Sequence, residues 1–213
     1  TAAGQMFLSE AKRLLEKERQ IFSIVRHDQA PYPARLVVGM DSICDRSLLA
    51  ERCFQFRKKY PGLEFCFVQQ RQPDLTNGVA NRRLDAAITF NFADDIPEQE
   101  HIELKTDCLK LIGASSLKIN NLKKLRWEMT CRPVLLPNRD SRILNAAKRV
   151  YAILNLTPRV LFFDSLEDML LAVETQGGFT VLPDSYFKQH CGEGFVSFDF
   201  GCPRELELIW CMI

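Results

Sequence analysis

Residues 34–90 read ARLVVGMDSICDRSLLAERCFQFRKKYPGLEFCFVQQRQPDLTNGVANRRLDAAITF, and the spacing of their apolar residues sets the fold. Leu36, Val37, Val38, Gly39 and Met40 form an unbroken apolar run, the mark of a strand buried on both faces. Asp41 and Ser42 are residue types that cap helices. An amphipathic helix is predicted from there through Tyr60, stopped by Pro61 and Gly62. LEFCFV at 63–68 reads as a second strand. Pro73, Asp74 and Leu75 open a helix to Arg83, and DAAITF at 85–90 is a third strand. Strand, helix, strand, helix, strand implies parallel pairing through right-handed crossovers.

The same unit recurs downstream. PVLL at 133–136 is a strand, residues 138–141 a cap, and 142–154 a helix. RVLFF at 159–163 is a strand, Asp164 and Ser165 cap a helix reaching Glu174, and GFTVLP at 178–183 is a strand. The likeness between the units is architectural and not one of residue identity. Residues 100–113 read as extended chain leaving the first lobe for the second, and 195–200 and 205–213 are extended again. Two connections between two lobes make a hinged α/β molecule. The expected domain runs over 31–213, with lobe one at 34–100 plus 196–213 and lobe two at 105–190.

Ligands of open parallel sheets bind beyond the carboxyl ends of the strands, and a hinge sets the two sets of ends across a cleft. The facing candidates in lobe one are Asp41, Ser42, Ile43, Gln69, Arg71, Thr89 and Phe90. In lobe two they are Asn138, Arg139, Phe163, Asp164 and Ser165, with Ser115 near the crossing. Several begin helices, whose free N–H groups suit a carboxylate or phosphate. Arg71 and Arg139 are candidates to pair an anion. The plainer reading makes Asp41 and Ser42 caps of their own helix, worth ~1 kcal/mol, and the arginines solvated surface cations.

Composition narrows the function. The 213 residues are 46% hydrophobic and 26% charged, a globular balance and not a disordered one. No apolar run reaches the ~18 residues of a membrane span. The net charge of +1 is unsuited to gripping nucleic acid without another domain. Eight cysteines include no CxxC, so zinc and thioredoxin spacings are absent. Cys53, Cys66 and Cys211 sit among apolar residues, as small buried hydrophobes do, and a reducing cytoplasm is expected. Cys44 is expected in a first helical turn, where the dipole lowers a thiol pKa. Cys191 and Cys202, beside Gly192 and Gly201, are candidates to pair under oxidation, with inert thiols the plainer reading there and at Cys44. His27, His101 and His190 are expected in a linker, an extended segment and a glycine-flanked loop, without metal-ligand spacing, and no nucleophile elbow, phosphate loop or dinucleotide fingerprint occurs. No catalytic residue, metal or cofactor is expected.

Ahead of the lobes, 4–25 lacks proline and is rich in good helix formers. Phe7, Leu14 and Ile21 recur every seven residues, with Ala11, Glu18 and Val25 between them, a short heptad seam. A lone helix gains little from such a stripe, so a dimerisation helix is expected on Phe7, Ala11, Leu14, Ile21 and Val25. HDQAPYP at 27–33 is a linker, and the helix and linker together occupy 1–30.

The whole chain resembles the LysR-type transcriptional regulators without their DNA-binding head. The resemblance rests on Thr1, Ala2, Ala3, Gly4, Phe7, Leu8, Ala11, Leu14 and Leu15 at the start. LVVG at 36–39, FRKKYP at 56–61, RLDAAI at 83–88, Ser165 with Leu166, and GFTVLP at 178–183 continue it. It implies two Rossmann-like lobes of the type II periplasmic-binding-protein kind. It also implies a homodimer or homotetramer, DNA contact only through the absent head, and a small anionic effector in the cleft. Ser42 stands where the family often has a ligand-contacting hydroxyl. Gln176 replaces the first glycine of a family loop ahead of Gly177 and Gly178. The loop 137–140 lacks the cysteine of the peroxide-sensing branch. The family's C-terminal helix is expected to be missing too. The rivals are an extracytoplasmic solute-binding protein, which native disulfides would favour, and an enzyme with Cys44 as nucleophile, which lacks a base partner.

Overall fold

The computed structural model describes residues 35–44, 47–93, 101–137 and 141–213, and Thr1, Gly4, Phe7, Leu8 and Ala11 from the leading segment. Those last four are helical, and Phe7 and Leu8 are exposed. Leu14, Ile21 and Val25 of the expected seam lie outside the described residues, as do Asn138 and Arg139.

The elements run β1 (Arg35–Met40), α1 (Ser47–Lys59), β2 (Glu64–Gln69), α2 (Gln72–Ala80) and β3 (Ala86–Phe92). The long strand β4 (Ile102–Ala114) and α3 (Leu122–Cys131) follow. Next come β5 (Val134–Pro137), α4 (Ser141–Ile153), β6 (Val160–Phe163), α5 (Leu166–Gln176) and β7 (Phe179–Pro183). The chain then forms α6 (Asp184–His190), β8 (Phe195–Phe198) and β9 (Glu207–Met212). As the two repeated units require, β1 lies parallel to both β2 and β3, and β5 parallel to both β6 and β7.

The sheet order is β2-β1-β3-β9-β4-β7-β5-β6, with β8 also on β4. Strand β4 is the joint. Its first half, to Cys108, pairs antiparallel with β9, and its second half, Leu109 onward, with β7 and β8. The main core crosses this joint without a break, from Met40, Phe90 and Trp210 to Leu136, Ile143 and Phe179. A smaller cluster of Leu75, Leu84 and Ala87 seats α2.

Four expectations change. Asp41–Cys44 is a turn and not the start of α1: the Ile43 amide donates to Asp41 Oδ1 at 3.2 Å and the Cys44 amide to the Asp41 carbonyl at 3.1 Å. Cys44 is therefore three residues ahead of α1. Strand β8 hydrogen-bonds to the second half of β4, Leu111–Ala114, so the return to lobe one begins after Phe198 and not at 196. His190 ends helix α6 and does not lie in a loop. Helix α3 is also new: Asn121 caps it by accepting from the Lys124 amide at 2.8 Å, and only Leu125, Glu128 and Met129 are buried.

Candidate functional site

The carboxyl ends of β1, β2 and β6 open on a cavity of about 620 Å³ between the lobes. Lobe one contributes Ser42, Cys44, Gln69, Gln70, Arg71 and Asp74; lobe two contributes Asp164, Ser165, Leu166, Glu167, Tyr186 and His190. Each lobe also brings a helix start. Arg71 is the N-cap position of α2, with Pro73 in its first turn. Ser165 caps α5, its Oγ accepting from the Asp168 amide at 3.2 Å and donating to Glu167 at 3.0 Å. The Tyr186 and His190 rings pack at 4.3 Å between centroids to form one wall. The Gln69 side-chain amide donates to the Ser42 carbonyl at 3.1 Å and fixes the turn that presents the Ser42 hydroxyl.

Beside the cavity Arg142 ties the two lobes together. Arg142, second residue of α4, donates from Nη2 to Asp41 Oδ2 at 2.9 Å. Its Nη1 donates to Thr89 Oγ1 at 2.8 Å and to the Phe90 carbonyl at 2.7 Å. The guanidinium carbon stands 4.5 Å from the Phe90 ring centre, a cation–π contact. Asp41 is 2% exposed and the Arg142 side chain 16%. With Ile43 on its other oxygen, the Asp41 carboxylate is occupied at both ends, by the turn and by the opposite lobe.

The sequence-based candidates divide on this geometry. Ser42, Gln69, Arg71, Asp164 and Ser165 line the cavity. Asp41, Thr89 and Phe90 are buried as the receptors of Arg142. Ile43 is buried in the core and Phe163 packs against it. Ser115 stands at the far end of β4, its amide donating to Gly194. Arg142 escaped the sequence reading, although a cation in a helix's first turn opposes the dipole and signals a partner from elsewhere. Asp74 and Glu167 read as ordinary first-turn acids, and Tyr186 and His190 lie on a helix that was not foreseen.

Two cysteine expectations also change. A disulfide joins Cys202 to Cys108, not to Cys191. Cys191 is free, and burial pushes its thiol up to about 11. Among the described residues no group of three or more His, Cys, Asp or Glu is placed to hold a metal ion. No helix among them is long and apolar enough to cross a membrane.

The sequence matches the LysR substrate binding domain family over residues 30–211. The chain belongs to that family. Among its curated relatives is the HTH-type transcriptional regulator BsdA of Bacillus subtilis (strain 168). It is 25% identical over 206 residues, covering 89% of this chain and 66% of the relative. This LysR domain thus spans just under two thirds of that relative's length. Among solved structures, the LysR family transcriptional regulator CbnR superposes with a TM-score of 0.74 at 16% identity, covering 100% of this chain and 74% of that one. The reduced regulatory domain of OxyR2 from Vibrio vulnificus gives 0.65 at 14%, covering 84% and 85%. These likenesses establish the type II periplasmic-binding-protein-like fold of the LysR domain.

Proposed function

We propose that this LysR domain is the effector-sensing part of a transcriptional regulator, working as a binding module and not as an enzyme. One observation carries the reading: the cavity's walls come from both lobes, with Ser42, Arg71 and Asp74 facing Asp164, Glu167 and Tyr186. A ligand touching both walls has a different affinity for open and closed lobes. That difference is what shifts a hinge equilibrium. The Asp41–Arg142 pair sets the resting angle beside it. The change of angle then passes to a second copy of the chain and to DNA through an N-terminal head. CbnR, of like fold, has been solved with its target DNA. The setting of such a regulator is the cytoplasm.

The lining also bears on the ligand. Arg71 and the α2 and α5 starts suit the anionic group expected from sequence. Among the described lining residues, three carboxylates, Asp74, Asp164 and Glu167, share the cavity with Arg71 and His190. Closing the lobes brings like charges together unless a cation lies between them. The effector is therefore a small molecule with both a carboxylate and an ammonium group.

Native mass spectrometry of the purified chain, then calorimetric titration, tests this. The probes are an α-amino acid panel and the same carbon skeletons lacking the amine. Binding by members of the first set, lost in Ser42→Trp and weaker by tenfold or more (about 1.4 kcal/mol) for the deaminated analogues, supports the reading. Equal binding of the deaminated acids removes the ammonium. Ligand binding that survives Ser42→Trp removes the cleft.

A further inference from the structure

The two connections between the lobes meet at a disulfide. Cys108 is the last residue of β4 paired with β9, at the point where the strand passes from one lobe's sheet to the other's. Cys202 lies in the return segment between β8 and β9. The Cys108–Cys202 link, Cα atoms 5.8 Å apart, spans 94 residues, and that loop holds the whole of the second lobe. Among the described residues this is the one disulfide.

The two successive residues at the joint hold different things. Asp107 is buried and accepts from Trp210 Nε1 at 3.2 Å, from the Cys108 amide at 2.8 Å, and from the Ser185 amide and hydroxyl. It ties β9 of lobe one to the start of α6 in lobe two by bonds that no oxidant alters. Cys108 points to the other side of the strand, toward the return segment. Non-covalent anchoring there is light. Lys110 pairs with Asp199 at 2.7 Å, but Asp199 is 71% exposed, where an ion pair contributes little. The Gly201 amide donates to Asp199, and Gly201 has a φ of +74°. Beyond it Leu206 is locked in the core. Phe200 packs against the core within this stretch, so Asp199 and residues 201–203 on either side of it are the chain that absorbs a change of hinge angle, and the disulfide is what fixes it.

We propose that Cys108 and Cys202 are a reversible redox couple that stiffens the joint between the lobes when oxidised and frees it when reduced. Cys202 is exposed and Cys108 half-buried, so Cys202 is the sulfur that meets a reagent first. With a low-molecular-weight disulfide as oxidant, the Cys202 thiolate attacks one of its sulfurs, forms a mixed disulfide and expels one thiol. The Cys108 thiolate then attacks the Cys202 sulfur and expels the second. The protein loses two electrons and two protons, and one disulfide becomes two thiols. Excess thiol runs the exchange backward. Because the couple acts on the hinge and not on the cavity, it sets the range of lobe angles from which an effector selects.

The experiment uses the purified chain equilibrated in glutathione buffers from fully reduced to fully oxidised. Each sample is acid-quenched, alkylated in denaturant and mapped by peptide mass. Cys108 and Cys202 are expected to lose alkylation together and to appear as one linked peptide, while the other six stay alkylated. Hydrogen exchange on the two forms then reads the joint. Exchange over 199–206 is expected to slow by about tenfold on oxidation. Cys202→Ser, a change in an exposed loop, is expected to show the reduced pattern in both buffers. The proposal fails if Cys108 and Cys202 stay alkylated in every buffer. It fails equally if the link forms and exchange over 199–206 is unchanged. Neither readout requires the effector.

Discussion

Arg142 occupies a position that repels it. The first turn of a helix presents positive partial charge, and a long cation there loses side-chain freedom when ordered. It is held because three acceptors of the other lobe, on Asp41, Thr89 and Phe90, converge on its guanidinium. Removing it leaves the Asp41 carboxylate buried without its counter-charge, so Arg142→Met is expected to destabilise the chain by about 3 kcal/mol. Asp41→Asn combined with Arg142→Met is expected to recover most of that loss, because the buried charge is gone. Urea unfolding of both single variants and the double checks the cycle. Additive losses would show that the two residues do not act on each other. Asp41, Thr89 and Phe90 were legible as residues at strand ends, but that they face an arginine and not a ligand depends on α4 packing across the joint. Among the described candidates, Ser42, Gln69, Arg71, Asp164 and Ser165 open on the cavity.

At the scale of elements, the parallel units were legible because each strand is a short apolar run bounded by its own caps and breakers. Strand β8 was legible as extended chain over 195–200, but its partner was not, since pairing with β4 is chosen by tertiary contact and not by local pattern. Helix α3 was missed for a related reason: LKKLRWEMTC buries three residues of ten, too few for a strong apolar stripe. The Gln176, Gly177, Gly178 passage, a departure from the family pattern, closes helix α5. Gly177 adopts φ +72° as its C-cap, and its amide donates to the Val173 carbonyl. A Cβ there meets Arg132 Nη1 at 2.7 Å, and Arg132 itself holds the Gln176 and Gly177 carbonyls. Gly177→Ala is expected to cost about 1–2 kcal/mol, since an L side chain resists the left-handed region. Gly177→Asn is expected to cost less, because asparagine tolerates that region. Thermal unfolding of the two variants ranks them, and an alanine variant as stable as wild type would remove the cap from the account. The other end of α5 carries Ser165 and Glu167 into the cavity, so the alanine variant is also the harsher one for ligand binding.

The molecule as a whole has a sheet with two open ends. Among the described residues, strands β2 and β6 each lack a neighbour on one side, and an unpaired edge with apolar cover is a site of association. At the β2 end Phe54, Phe56 and Phe67 are exposed; at the β6 end Leu161, Phe162, Ile153 and Leu171 are. A second copy related by a two-fold axis is expected to lay its β6 end against β2 and its β2 end against β6. Both edges are then covered in one closed interface. That antiparallel arrangement would also couple the hinge to assembly, because each contact would join lobe one of one copy to lobe two of the other, and a change of lobe angle in either copy would alter the distance between the two contacts. A charge at either end is expected to break it. Phe67→Arg and Leu161→Arg, tested separately by sedimentation equilibrium, are each expected to turn the dimer into a monomer. As both positions are exposed in the single chain, unfolding stability measured at low concentration is expected to change by no more than about 0.5 kcal/mol. A dimer that withstands both substitutions would place the contact elsewhere, on the leading helix with its exposed Phe7 and Leu8. The lobes of one copy would then be free to move without altering the spacing of the pair.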